Sequence, residues 1–391
     1  MPAIFKDRPI VAYYPMWIEK QNWLTPNNCA LSKINRAVNV VILAFIDPSK
    51  PYSGSLDAAI SDYFFEGEGK ALGDVASLKH LKEAIHLCKI HHPGRKVLVS
   101  AGGEIGGEFI NADFSSLALL VAELDLDGLD LDYEPDQVMT QTPAQIAIYQ
   151  KIIIEARLAL DQQTQRTGKK YLLSCAPTAV GLLSENEQKI EFIEQVAQRL
   201  APLVVASEHT DALHVGQLMD DPEGSKSSAL SAFNFKASGK MRDVFLQKSA
   251  YENYPYVGNM VDIVIYQAYN MGSVNLLGRL LCYESHRAIS EFLQKNTDQG
   301  GFSIIHGSHI GQEAFPRYSH TLSRLTTIYS YICLYGEAND GASFWSYGQD
   351  PVDQQDYLPA HGMGYTDSKE VFESMALLHD KYHVNYATVQ P

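Results

Sequence analysis

A chain of 391 residues with 46% hydrophobic, 20% charged and 10% aromatic residues carries enough apolar side chains for a sizeable core, which excludes intrinsic disorder. Its 46 acidic residues against 31 basic ones give a formal charge of -15 without a compensating basic patch, so neither nucleic acid nor an anionic membrane surface is expected as a partner. The longest apolar runs, such as Ala37 to Ile46, fall short of the ~20 residues of a membrane-spanning helix, and five cysteines without paired spacing speak against a disulfide scaffold or a cysteine-based zinc site.

The first residues, Met-Pro-Ala-Ile-Phe-Lys-Asp-Arg, contain no apolar stretch of signal-peptide length. Localisation therefore stays open, leaderless export included. From Pro9 onward a short run rich in β-branched and aromatic residues recurs, mostly followed by a stretch with apolar residues at helical spacing. In chain order the runs Pro9 to Trp17 and Val38 to Ile46 precede a predicted helix over Leu78 to His91. Lys96 to Gly103 and Gly128 to Glu134 precede a helix over Pro143 to Gln163, and Tyr171 to Pro177 precedes one over Glu185 to Leu200. The stretch from Thr210 to Gly258 is rich in Ser, Asp, Lys and Gly, has no strong periodicity, and reads as an insertion around a rim. Asp262 to Asn270 leads to a helix over His286 to Gln294, Phe302 to Ser308 to one over Leu322 to Leu334, and Ala342 to Tyr347 to one over Asp367 to Tyr382. With no internal repeat, low-complexity tract or linker, this alternation predicts an α/β fold, a (β/α)8 TIM barrel spanning 1–391 as one domain with its surplus length in loops.

The fourth run holds the chemistry. In Leu124-Asp-Leu-Asp-Gly-Leu-Asp-Leu-Asp-Tyr-Glu134 acids alternate with apolar residues, and on a strand Asp130, Asp132 and Glu134 fall on one face while Leu129, Leu131 and Tyr133 fall on the other. Stacked carboxyls inside a barrel must share protons and hydrogen bonds, so at least one pKa should rise. Glu134, outermost at the carboxyl end where barrel active sites form, is placed as a general acid. The competing readings are an exposed acidic edge strand and a calcium loop, the latter without its usual glycine turn.

Asp127-Gly128-Leu129-Asp130-Leu131-Asp132-Tyr133-Glu134 resembles the DGxDxDxE signature of glycoside hydrolase family 18, the chitinases and their relatives. Ser100-Ala101-Gly102-Gly103 on the third run is similar to the SxGG of the same family. The resemblance implies that Glu134 protonates the glycosidic oxygen, that Asp132 stabilises the substrate's acetamido group with Asp130 behind it, and that Tyr269 fixes the acetamido carbonyl. It also implies that Tyr13, Trp17, Phe45 and Trp345 face the sugar, for which flat rings suit pyranose C–H faces, with Gln267 and Asn270 lining the site. Many members have Asp where Asn270 stands. The implied ligand is chitin or an N-acetylglucosamine-containing oligosaccharide, cleaved with retention and the substrate as its own nucleophile, with no metal or cofactor. His306 and His309 lack a matched carboxylate for metal binding, and Gly102 to Gly107 lacks the context of a nucleotide loop. Two other readings remain: an endo-β-N-acetylglucosaminidase acting on N-glycan cores, and a lectin, from which members usually lose the acid matching Glu134. Processive members carry an α+β insertion between the last two strands; the short interval from Ser308 to Ala342 predicts that this wall is absent.

Overall fold

Segments such as IVAYYP, VVILAFI and IVIYQ combine β-branched and aromatic residues that suit a pleated, doubly covered surface, and they form the staves of a closed barrel. The computed structural model describes residues 4–65, 76–103, 109–134, 142–177, 190–204, 240–268, 276–310, 322–348 and 368–388. Eight parallel strands close in the order β1 (Ile10–Pro15), β10 (Gly341–Trp345), β9 (Ser303–His309), β8 (Ile263–Gln267), β5 (Leu172–Cys175), β4 (Gly128–Asp132), β3 (Lys96–Gly102) and β2 (Val40–Ile46). Each lies within, or one residue from, a predicted run. The remaining two strands, β6 (Lys248–Tyr251) and β7 (Tyr254–Tyr256), make a separate antiparallel hairpin.

The helices are α1 (Leu78–Ile90), α2 (Phe114–Glu123), α3 (Pro143–Thr167), α4 (Ile190–Leu200), α5 (Lys240–Leu246), α6 (Leu276–Asn296), α7 (Leu322–Tyr335) and α8 (Ser368–Thr388). α3 shows why they start and stop where they do. Thr142 Oγ1 accepts from Gln145 N and Gln145 Oε1 from Thr142 N, Pro143 occupies the first turn, and Gly168 ends the helix at φ +74°, which frees an L side chain from a left-handed conformation. Among the described residues no helix is long and apolar enough to cross a membrane. All five cysteines are buried free thiols.

Two elements depart from the sequence reading. The predicted helix over His286 to Gln294 begins ten residues earlier, at Leu276; Leu276 to His286 are all buried, so no polar face marks the period. Of the stretch from Thr210 to Gly258, residues 210–239 lie outside the described residues. The rest is ordered into α5 and the hairpin, and Met241, Val244 and Phe245 are fully buried. α5 packs against α3 and α6, so the described part of this stretch is helix and hairpin where the sequence showed no strong periodicity.

Strand alternation divides the core in two. Val11, Tyr13, Val40, Ile42, Leu98, Leu172, Ile263, Ile265 and Ile305 fill the lumen together with Phe5, while the larger cluster joins the outer strand faces to the helices. At the amino-terminal end of the barrel, the residue just before every second strand carries a side-chain acceptor for the preceding strand. Asn39 Oδ1 accepts from Ile10 N at 2.8 Å, Asp127 Oδ2 from Val97 N at 2.9 Å, Asp262 Oδ2 from Leu173 N at 3.0 Å and Asp340 Oδ1 from Ile304 N at 2.9 Å.

Candidate active site

The acids of β4 sit where alternation sends them. Leu129 and Leu131 join the outer core, whereas Asp130 and Asp132 point inward and are 0% and 4% exposed. Glu134 lies two residues beyond the strand end, half-buried at the carboxyl-terminal mouth. Tyr133, on the other face, packs against Phe109 and Tyr149 with ring centroids 5.5 and 5.4 Å away.

Asp130 is the foundation of the site. Its Oδ2 accepts from Ser100 Oγ at 2.7 Å and from Tyr13 OH at 3.1 Å. Burial raises the Asp130 pKa, while the hydroxyls of Ser174, Ser100 and Tyr13 work against the rise. Asp132, above it, is pushed well above the ordinary carboxylate range, first by burial and then by the charges of Glu134 and Asp130; a hydrogen bond with Glu134 adds to the rise and the Gln267 amide opposes it. Gln267 Nε2 lies 2.7 Å from Asp132 Oδ1, 2.7 Å from Glu134 Oε1 and 3.2 Å from the Ala176 carbonyl. One amide nitrogen thus reaches both upper carboxyls. A buried acid with a raised pKa, hydrogen-bonded to a second carboxyl at an open mouth, forms a pair from which a proton can be given to a leaving group.

The Ser-Ala-Gly-Gly stretch serves this arrangement residue by residue. Ser100 holds Asp130 in register across β3 and β4. Gly102, at φ +106°, lets β3 run so close to β4 that a Cβ would meet the Asp132 carbonyl oxygen at 2.1 Å. Gly103, at φ +84°, donates its N–H to that same carbonyl at 2.8 Å and leaves room for the Phe45 ring, 2.9 Å from where its Cβ would be. Phe45 in turn stacks on Trp345 with centroids 5.3 Å apart and planes 22° apart. Tyr13 meets the Trp345 ring at 5.9 Å and Trp17 at 6.3 Å. The Ala44–Phe45 and Trp345–Ser346 peptide bonds are cis.

Of the residues singled out from sequence, the structure therefore brings together Asp130, Asp132, Glu134, Gln267 and Tyr13 in one hydrogen-bonded group, and Tyr13, Trp17, Phe45 and Trp345 in one aromatic group. Trp17 and Tyr13 are buried beneath the cluster, and Phe45 and Trp345 are the half-buried members. Tyr269 and Asn270 lie outside the described residues. His306 and His309, three apart on β9, fall on opposite strand faces. His306 packs edge-on to Tyr266 at 5.2 Å on the shell side and burial lowers its pKa to about 3; His309 is in register with Trp345 and burial lowers it to about 3 as well. Among the described residues no cluster of three or more His, Cys, Asp or Glu side chains is arranged to hold a metal ion. Ser174, in register with Asp130 on β5, was not anticipated; its inward phase, shared with Leu172, was the available signal.

Residues 9–201 match the model of the family described as Glycosyl hydrolases family 18. A family GH18 chitinase from Chromobacterium violaceum is similar in structure with a TM-score of 0.50 at 16% identity, over 97% of this chain and 85% of that one. A GH18 chitinase from Pseudoalteromonas aurantia gives 0.49 at 16% identity, over 95% and 100%. A family 18 N-acetylglucosaminidase from Paenibacillus barengoltzii gives 0.49 at 13%, also over 95% and 100%. No curated protein matches the chain by sequence.

Proposed function

Because the chain belongs to glycosyl hydrolases family 18, we propose that it cleaves β-1,4-linked N-acetylglucosamine polymers or oligomers, as a retaining chitinase that uses the substrate's own acetamido group as nucleophile. The observation that carries the reading is the Asp132–Glu134 pair, linked by a hydrogen bond and by one amide nitrogen, at the barrel end where Phe45 and Trp345 offer ring surface to a sugar.

In this mechanism Glu134 gives its proton to the glycosidic oxygen as the acetamido oxygen attacks C1 and the bond to the leaving sugar breaks. Asp132 accepts the acetamido N–H and balances the positive charge of the resulting oxazolinium ring. Asp130, fixed by Ser100 and Tyr13, holds Asp132 in place from below. The family resemblance assigns Tyr269 to the acetamido carbonyl and Asn270 to substrate binding. Glu134, now ionised, takes a proton from the water that opens the ring, and configuration is retained.

The test is hydrolysis of N-acetylglucosamine oligomers, of their fully deacetylated counterparts and of a high-mannose glycopeptide, with anomers followed by proton NMR before mutarotation. The expected result is β-anomer from the acetylated oligomers alone. Efficient cleavage of deacetylated oligomers would mean a protein nucleophile, cleavage of only the glycopeptide would move the substrate to N-glycan cores, and binding without turnover would make the protein a lectin.

A further inference from the structure

We propose that Gln267 is a positioning residue, whose amide nitrogen holds the Asp132 and Glu134 carboxyls together as a pair carrying one proton and one negative charge. The activity arm of this inference rests on the reading of the site given above; the geometry does not. A primary amide has two N–H bonds, and the two nearest acceptors of Nε2 are Asp132 Oδ1 and Glu134 Oε1, both at 2.7 Å, with the Ala176 carbonyl at 3.2 Å. Donors of this kind stabilise an ionised carboxyl more than a protonated one, which disfavours the doubly protonated pair. Two adjacent buried negative charges repel each other, which disfavours the doubly ionised pair. What remains is the single shared proton that a general acid beside an ionised partner requires. The sequence reading placed Gln267 among the substrate-binding residues; its amide nitrogen faces the acids.

Among the described residues, the other groups around the pair are these. Below, Asp130 adds negative charge and is itself held by Tyr13 and Ser100. From β5 come the Ser174 hydroxyl and the Ala176 carbonyl. From β9, Gly307 lies in register with Gln267 and brings no side chain, and His309 is held neutral by burial. Tyr149 of α3 stands behind β4, and Arg279 of α6 donates to the carbonyl of Ala268, the residue after Gln267.

The test replaces Gln267, which is 2% exposed, by methionine, of similar length and without donors. Loss of hydrogen bonds to a charged group should move both limbs of the kcat/KM profile to higher pH by about one unit, with KM for the oligomer little changed. A 13C NMR titration of the free protein, labelled at Asp and Glu carboxyl carbons and assigned with Asp132→Asn and Glu134→Gln, should show the same alkaline shift. That titration needs no turnover, so it tests the pair even if the wild type fails to cleave any oligomer, an outcome that would sink the proposed function alone. Gln267→Glu keeps the shape and replaces the donor with a third acid; it should shift the titration further still, and serves if the methionine variant does not fold. A titration unmoved in the folded variants would overturn the proposal, as would a raised KM with an unmoved pH profile, which would return Gln267 to sugar binding.

Discussion

Replacing Gly102 and Gly103 separately by alanine should produce two different enzymes from one chemical change. Both glycines have positive φ, +106° and +84°, so each alanine carries a similar backbone penalty of about 1–2 kcal/mol. Their surroundings differ. At position 102 the new methyl would stand 2.1 Å from the Asp132 backbone oxygen and 2.8 Å from the Phe109 ring, inside the 3.0 Å that real Cβ contacts respect. The carbonyl must therefore retreat by about 1 Å, and a shift of that size in a residue holding the reacting group costs on the order of 100-fold in rate. At position 103 the obstacle is the Phe45 ring at 2.9 Å, which can tilt, at the expense of its stacking on Trp345. A lost aromatic contact is worth roughly 0.5–1.5 kcal/mol, or up to about tenfold in affinity. Steady-state kinetics on N-acetylglucosamine oligomers, with melting curves alongside, should show kcat falling about 100-fold for Gly102→Ala and KM rising several-fold for Gly103→Ala with kcat nearly intact. Wild-type kcat in folded Gly102→Ala, or identical kinetics in the two variants, would refute the reasoning.

Glu134→Gln keeps the shape of the acid but not its proton; melting temperature and oligomer binding should stay near wild type while turnover drops by at least ~100-fold, measured by product release and calorimetry on the same sample. His306 is buried with its pKa lowered to about 3, below the ~6.5 of an unfolded chain; the unfolded state therefore takes up a proton first as pH falls below ~6.5, and stability is lost from there toward the folded value. His306→Phe should flatten the slope of urea-measured stability against pH by up to ~1.4 kcal/mol per unit in that window, and an unchanged slope would show that another group governs acid unfolding. Between the end of β9 at His309 and the start of β10 at Gly341 the chain has room for α7 and one loop, so a polymer should bind mid-chain and leave after a cut. Glycol chitin should lose viscosity rapidly with mixed oligomers as early products, whereas dimer as nearly the sole product would contradict an open cleft.

The barrel was legible because each strand announces itself by composition and by bounded length, and the acids on β4 because three carboxyls on one strand face have few uses. Helices with a polar face were found to within a few residues. α2, with the sequence FSSLALLVAE, and the first half of α6 were not, because the one is apolar on nearly every side and the other buried on every side, so neither keeps the polar face whose period would reveal it. The commitment of Gln267 to Glu134 joins residues 133 apart and depends on how β8 and β4 are phased across the lumen, which no local pattern encodes. Asp127 is a different case. It was visible as the first residue of the motif but received no role there, and its carboxylate sits at the far end of the barrel, against Val97 N and with Lys89 at 3.0 Å.

That placement makes the signature a ruler laid along its own strand. The zero mark is Asp127, pinned at the foot of β4; the working end is Glu134, past its tip. Side chains of a strand change sides with every step, so sliding β4 by one residue would turn Leu129 and Leu131 into the lumen and bury Asp130 and Asp132 among the helices. Ladder hydrogen bonds alone are nearly indifferent to such a slip. A carboxylate that matches one particular N–H of β3 is not, and its counterparts Asn39, Asp262 and Asp340 set the phase of β2, β8 and β10 by the same means. The aim of the acid at the mouth is thus decided at the opposite end of the molecule, by residues that never meet a sugar.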